Sequence, residues 1–307
     1  MNDVLAAVEE AFKLHFTGKV VQPEKATLHY GEGGRYRLNS LPCYIDKKGG
    51  GIKWVANNSD NRNRGLPTIA AVIILNDEVT SMPICMLDGA LITAFRTAGH
   101  AGLAAKYLAN RNSNKLGIIG CGMEGRTHLE VMKTIFQINE VNIYDVNRDF
   151  AKKYAEEMGS RLGLNVRITD TARDAATDAD IVCTTTTSSK PVLMSDDVGP
   201  GTFVAGTALF RDLDPRLSKR ADKWVLGDAK FDFAKLSESQ NLIELSEEDV
   251  YASLGEVITG VKPGRENNEE TILFSHAGMS VLDVMTALVA YKKAKEKGIG
   301  VRVDILR

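Results

Sequence analysis

Apolar positions along the chain follow two successive patterns. Leu5, Val8 and Phe12 share one helical face that closes at Gly18, and strand-length runs come next: Thr27 to Tyr30, Tyr36 to Tyr44, Ile52 to Ala56, Thr68 to Leu75 and Pro83 to Leu87. Gly31-Glu-Gly-Gly34 and Asn76-Asp-Glu78 supply turns between them, so this region predicts an antiparallel sheet. Asp88 is placed to cap a helix running to about Leu108, and the polar stretch Asn110 to Asn114 reads as a linker.

From Leu116 the pattern alternates strand with helix, the signature of a parallel sheet covered on both faces. Candidate strands are Leu116 to Ile119, Val141 to Asp145, Val166 to Thr169, Ile181 to Thr184, Thr202 to Ala205 and Trp224 to Leu226, with Thr271 to Phe274 as a last one. Six strands suit a doubly wound domain. Ser246 with Asp249 heads a short helix, and Ser280-Val-Leu-Asp283 has the spacing of a capping box opening a helix that ends in Lys292, Lys293, Lys295 and Lys297 before Gly298. Ile299 to Leu306 alternates and predicts a strand returning to the first domain. The expected fold is therefore α/β, a doubly wound Rossmann-type sheet over 113–278 with a second, discontinuous α+β domain for substrate binding and dimerisation over 1–112 and 279–307.

The most specific local signal is Gly120-Cys-Gly122-Met-Glu-Gly125, which follows an apolar strand and opens a helix. Gly120 would allow the tight turn, Gly122 would let backbone N–H groups approach a pyrophosphate, and Gly125 would let helix and sheet pack closely. Leu129, Met132, Ile135 and Phe136 recur at helical spacing, and the following strand ends at Asp145, about twenty residues beyond the third glycine. A carboxylate there accepts hydrogen bonds from ribose hydroxyls and repels a 2′-phosphate, which favours NAD, while Arg148 keeps NADP open.

Composition narrows the partners. The chain has 307 residues, enough for two ordinary domains, and its formal charge of −2 offers no reason to expect nucleic acid or an anionic membrane. No apolar run approaches the roughly 18 residues of a transmembrane helix, and Met1-Asn-Asp-Val does not open like a signal peptide, so a cytoplasmic enzyme is expected. Cys43, Cys85, Cys121 and Cys183 show no C-x-x-C pairing and the histidines no H-x-x-x-H, so no metal is expected.

Outside the glycine motif, Arg37, Lys53 and Arg96 are cations in apolar or small-residue settings. On spacing alone each reads first as a solvated face residue, the usual place for a lone cation. The stretches Gly51-Ile-Lys-Trp-Val55, Gly65-Leu-Pro-Thr68, Phe95-Arg-Thr97, Ala104-Ala-Lys-Tyr-Leu108, Ile118-Ile-Gly-Cys-Gly122, Leu254-Gly-Glu-Val-Ile-Thr-Gly-Val-Lys-Pro-Gly-Arg265 and Ser280-Val-Leu-Asp283 together resemble the family of ornithine cyclodeaminase and mu-crystallin, which includes alanine dehydrogenases and ketimine reductases. The resemblance implies a homodimer built through the N-terminal sheet and an active site in the cleft beside the nucleotide domain. It assigns Arg37, Lys53 and Arg96 to an amino or imino acid substrate, and Thr68, Arg96, Thr97, Gly120, Gly122, Met123, Glu124, Gly125, Asp145, Thr184, Thr186 and Ser275 to the cofactor. Two guanidinium groups would hold an α-carboxylate, and a lysine hemmed in by their charge would have a lowered pKa and exchange a proton with the substrate nitrogen.

In one place the chain departs from the family pattern. Cyclodeaminases carry an acid/base aspartate after the fifth nucleotide-domain strand, and anchoring on Asp212-Leu-Asp-Pro215 puts Gly206 at that position. Asp212 and Asp214 read as surface or helix-cap acids, with substitution for the missing aspartate, given a shifted loop, as their alternative, and His100 and His276 read as buried residues or tuners of substrate choice. The expected function is an NAD-dependent oxidoreductase acting at the α-carbon of an amino or cyclic imino acid. A cyclodeaminase that recycles its hydride, and a non-catalytic nucleotide-binding protein like mu-crystallin, are the alternatives.

Overall fold

The structure is a computed structural model that describes residues 1–237 and 245–304. In chain order its elements are α1 (Asn2–Phe16), β1 (Val20–Val21), β2 (Ala26–Tyr30), β3 (Tyr36–Ile45), β4 (Gly49–Asn57), β5 (Ile69–Asn76), β6 (Pro83–Asp88) and α2 (Gly89–Leu108). There follow β7 (Lys115–Ile119), α3 (Met123–Ile135), β8 (Glu140–Tyr144), α4 (Arg148–Leu162), β9 (Asn165–Ile168), α5 (Ala172–Ala176) and β10 (Ile181–Thr184). The last are β11 (Phe203–Phe210), α6 (Arg216–Arg220), β12 (Lys223–Leu226), α7 (Ala229–Ser237), β13 (Ala252–Ser253), α8 (Leu254–Ile258), β14 (Ile272–Ser275) and α9 (Ser280–Glu296). Two compact units form, one of residues 6–96 with 279–307 and the other of 1–5 with 97–278, so the division falls inside α2 at Arg96/Thr97, upstream of the polar linker.

The first unit is an antiparallel sheet in the order β1-β3-β4-β5-β6, with β2 also paired to β3. Leu41, Lys53, Ile73 and Leu87 stand opposite one another across four strands, and with Cys43, Gly51 and Leu75 they form the face on which α9 packs. A side chain at Gly51 would meet the Ile74 carbonyl and Val284 of α9, which is why the strand carries glycine there. Because side chains alternate across a strand, the other parity faces away from α9. Val21, Leu28, Tyr44, Trp54, Val72 and Met86, one from each strand, share that second face and are exposed.

The second unit is an all-parallel sheet in the order β13-β12-β14-β11-β10-β7-β8-β9. Its strand sequences are continuous apolar runs, as burial on both faces demands: all four residues of β10, β12 and β14 are buried. The strand order reverses between β7 and β10, the switch point where doubly wound folds bind ligands.

Several expectations need correction. The sheet has eight strands rather than six, because β13 joins its edge and β14 inserts between β11 and β12. Ser280 and Asp283 form no capping box: Met279 is the N-cap, the Ser280 hydroxyl donates to Gln22 Oε1 at 3.0 Å, and the Asp283 carboxylate is engaged elsewhere. Residues 299–304 form no strand, and 305 and 306 lie outside the described residues. The Asp88 cap and the Ser246–Asp249 box do form, with Leu91 N–H donating to Asp88 at 2.9 Å. No helix among the described residues is long and apolar enough to cross a membrane.

Candidate active site

In the parallel-sheet unit the glycine loop is shaped by contacts on every side. Gly120 has φ of +104°, and a Cβ on it would fall 2.7 Å from the Thr185 carbonyl. A Cβ on Gly125 would collide with the Gly120 carbonyl, so α3 reaches the sheet only through glycine. A Cβ on Gly122, by contrast, would meet nothing within 4 Å, leaving open space in front of the first turn of α3. The partial positive charge of that helix end faces the same opening.

Residues that sequence reasoning did not find hold this loop from behind. Thr185 donates its hydroxyl to the Gly120 carbonyl at 2.8 Å, and Arg126 Nη1 donates to the Cys121 carbonyl at 2.6 Å. The Arg126 guanidinium lies over the Tyr154 ring, and the Tyr154 hydroxyl in turn donates to Gly125 O at 2.9 Å. Asp145 accepts the N–H groups of Cys121 and Asn147, each at 2.8 Å, which fixes one lone pair of each oxygen and orients the carboxylate.

Along the carboxyl ends of the strands, Ile119, Thr184, Gly206, Ser275 and Leu226 stand in register. Asp212 is fully buried rather than a surface acid, and its carboxylate accepts hydrogen bonds from Thr186 at 2.8 Å and Thr184 at 3.3 Å. Burial raises its pKa against those hydrogen bonds. Asp214, also buried, precedes α6, whose N-cap is Pro215, and accepts the Arg216 N–H at 3.0 Å. A Cβ on Gly206 would lie 2.6 Å from Leu213 Cδ1 and 3.3 Å from the Leu209 carbonyl, so a side chain there would require Leu213 to move. Ser275 accepts the Trp224 indole N–H at 3.0 Å. His100 and His276 are both buried, their ring centroids 4.0 Å apart. Met123 and Glu124 form the first turn of α3, with Met123 exposed, and Thr97 is buried on α2.

The antiparallel unit gathers the cations. Lys53 Nζ lies 2.7 Å from Asp283 Oδ2, and Arg96 Nε donates to Asp283 Oδ1 at 2.8 Å, with all three residues buried. Lys53 also approaches the Thr93 hydroxyl at 3.4 Å. The lysine pKa is lowered to about 8, first by burial and then by Arg96 and Lys25, against the pull of Asp283. Burial is thus the larger cause, where the sequence reading named neighbouring charge. Arg37 stands on the same sheet face, opposite Asn57 and four residues along β3 from the partner of Lys53. Among the described residues its side chain makes no hydrogen bond or ion pair, so it is not joined to the Lys53–Asp283–Arg96 group. Thr68 lies just before β5, its carbonyl accepting the Asn58 N–H.

Asp283 is the site residue that the sequence reading missed. Its partners sit about 190 and 230 positions upstream, and nothing local announces them.

Residues 1–298 match the model of the ornithine cyclodeaminase/mu-crystallin family. An alanine dehydrogenase from Archaeoglobus fulgidus is 35% identical over 100% of this chain and 95% of its own length. Among solved structures, the Δ1-pyrroline-2-carboxylate reductase of Thermococcus litoralis in complex with NADH and L-proline is 33% identical with a TM-score of 0.90, covering 98% of this chain and 95% of its own. An archaeal alanine dehydrogenase dimer with bound NAD is 34% identical with a TM-score of 0.91, covering 100% and 95%.

Proposed function

Because the chain belongs to the ornithine cyclodeaminase/mu-crystallin family, we propose that it is an NAD-dependent oxidoreductase acting at the α-carbon of an amino acid or cyclic imino acid. The observation that carries this reading is the buried Lys53–Asp283–Arg96 group. A lysine with a pKa of about 8 holds both protonation states near neutrality, which is what exchanging a proton with a substrate amine or imine nitrogen requires. Asp283 fixes the ammonium and, by engaging Arg96 through Nε, leaves the remaining guanidinium donors to a substrate carboxylate, with Arg37 as the second donor on the same face.

The open space at Gly122, the closed contacts of Gly120 and Gly125 and the oriented Asp145 carboxylate fit a dinucleotide. Gly120, Gly122, Met123, Glu124, Gly125, Asp145, Thr184, Thr186 and Ser275, with Thr68, Arg96 and Thr97, would hold it, and its nicotinamide would supply the hydride acceptor or donor. The carboxylate of Asp145 favours NAD over NADP, because it would accept ribose hydroxyls and repel a 2′-phosphate. In this assignment most of the cofactor residues belong to the parallel-sheet unit, and the substrate residues Arg37, Lys53 and Arg96 to the antiparallel unit. The antiparallel unit is also the dimerisation unit, because an apolar sheet face with one exposed large side chain per strand needs a cover, and a second copy presents the same surface.

Gly206 separates this reading from cyclodeamination: glycine neither shuttles a proton nor pairs with a distal ammonium. Absorbance at 340 nm with a panel of amino acids plus NAD, and of cyclic imino acids plus NADH, tests the proposal. NADH should accumulate or be consumed, whereas ammonia release without net NADH would replace the dehydrogenase reading with the cyclodeaminase one.

A further inference from the structure

Lys53 has a second neighbour besides Asp283, and that neighbour bears on which way the amine faces. Thr93, at the start of the second turn of α2, places its hydroxyl 3.4 Å from Lys53 Nζ. The same hydroxyl donates to the Gly89 carbonyl at 2.6 Å, one turn back along the helix. A hydroxyl carries a single proton, so with that proton committed to Gly89 it meets Lys53 only as an acceptor.

Donor count then constrains the lysine. An ammonium group has three N–H donors and no acceptor. Asp283 Oδ2, ion-paired at 2.7 Å, draws one and the Thr93 oxygen draws a second, which leaves one for a substrate. When Lys53 gives up a proton, its lone pair cannot face the carboxylate or the Thr93 oxygen, because both are electron-rich acceptors. The two retained N–H groups therefore stay on Asp283 and Thr93, and the lone pair takes the third direction. Turning the Thr93 proton toward the amine would break the short bond to Gly89.

Both anchors are held in place. Asp283 is fully buried, and its other oxygen accepts Arg96 Nε at 2.8 Å. Thr93 is β-branched, and its bond to the carbonyl four residues back selects the rotamer. The turn that supplies this carbonyl is seated on the sheet: a Cβ on Gly89 would lie 2.9 Å from Ala71 Cβ and 3.0 Å from the Ala71 backbone. Ala71 is two residues along β5 from Ile73, the strand partner of Lys53, so strand and helix fix the amine and its acceptor together.

We propose that Thr93 is a positioning residue for proton exchange at the substrate nitrogen, aiming the remaining N–H or lone pair of Lys53 while touching no reacting atom itself. This role rests on Lys53 being the acid/base, as proposed above. A lysine side chain is long and flexible, and a base contributes fully only when it is held in line with the proton it takes.

Steady-state kinetics across pH 6–10, with the amino acid and NAD that the 340 nm panel identifies, tests this in three variants. Thr93→Val keeps the shape and removes the acceptor, and should lower kcat by about ten- to a hundredfold, part of the about 10²–10⁴ that a positioned base supplies. The loss should persist on the alkaline plateau, where Lys53 is neutral, with KM for the amino acid and NADH affinity within about twofold of the parent. Thr93→Ser keeps the hydroxyl and should retain the parent rate, whereas Thr93→Ala should repeat the loss and reports in place of a valine variant that fails to fold. Parent kcat in the variants lacking the hydroxyl, a loss confined to the acid limb, or a loss that serine shares overturns the role of Thr93 alone. A parent that turns over no amino or imino acid overturns the reading of Lys53 and this role with it.

Discussion

Replacing Asp283 by Asn keeps the shape of the side chain and removes the one negative charge that Lys53 and Arg96 share. Both ion pairs are short and buried, at 2.7 and 2.8 Å, so solvent does little to screen them. Two charges at such separations attract by about 4 kcal/mol in the effective dielectric of protein sites, equivalent to about three decades in proton affinity. In the variant the lysine pKa should fall further below about 8, because the charge that raises it is gone while burial and Arg96 still lower it. Folding suffers as well, since removing one partner of a buried pair leaves uncompensated charge at a cost of about 3–5 kcal/mol.

The pH dependence fixes the sign. In the parent, the folded lysine pKa of about 8 lies below its ordinary 10.5, so the unfolded chain binds more protons between those values. Lys53 therefore destabilises the fold fully below about pH 8, by about 3 kcal/mol, and the penalty is relieved as pH rises through 10.5. In Asp283→Asn that window should extend below pH 8. Urea unfolding followed by tryptophan fluorescence across pH 6–10 reads the stability, and the acid limb of kcat/KM for amino-acid oxidation reads the titration of Lys53. A variant as stable as the parent, with its acid limb still near 8, would refute both the coupling and the role given to Lys53.

Three further outcomes are expected. Lys53→Met, which keeps the Arg96–Asp283 pair, should lower turnover by about 10²- to 10⁴-fold with NADH affinity unchanged in a fluorescence titration. Gly125→Ala drives a methyl group into the Gly120 carbonyl and should destabilise the fold by about 1–3 kcal/mol while weakening NADH binding, read by thermal unfolding with and without NADH. Trp54→Glu places a charge on the exposed apolar face of the antiparallel sheet and should convert a dimer into a monomer in sedimentation velocity, with the secondary structure retained.

Legibility followed the range of the interactions. The glycine loop could be read from the sequence because its logic is local: strand, turn and helix lie within a few residues, and Gly120 and Gly125 are dictated by atoms close to them in the fold. The insertion of β14 between β11 and β12 was not legible, because strand order depends on where a chain returns after nearly fifty residues. Ser280-Val-Leu-Asp283 is the instructive failure. Its spacing satisfies a helix-capping template, yet the serine bonds to Gln22 and the aspartate to two cations far upstream. A local template explains a residue only when no stronger distant partner claims it, and two buried cations outbid a backbone N–H. Lys53 and Arg96 themselves were nameable only by resemblance, since a cation on a strand or helix looks alike whether it faces solvent or a buried acid.

Gly206 bears on which chemistry the site performs. Cyclisation needs a group that manages a second amine on the substrate, beyond the proton exchange at the α-nitrogen. At the register position between Thr184 and Ser275 this chain has glycine, and the space a side chain would take is filled by Leu213 and the Leu209 carbonyl. The buried acid nearest in sequence, Asp212, spends its carboxylate on Thr184 and Thr186, which orients two hydroxyls along the strand ends. In the proposed reading the proton exchange falls to Lys53 with Asp283, one proton at one nitrogen. One proton and one hydride are what amine oxidation or imine reduction requires, so the loss of an acid at Gly206 narrows the proposed reaction to net redox chemistry.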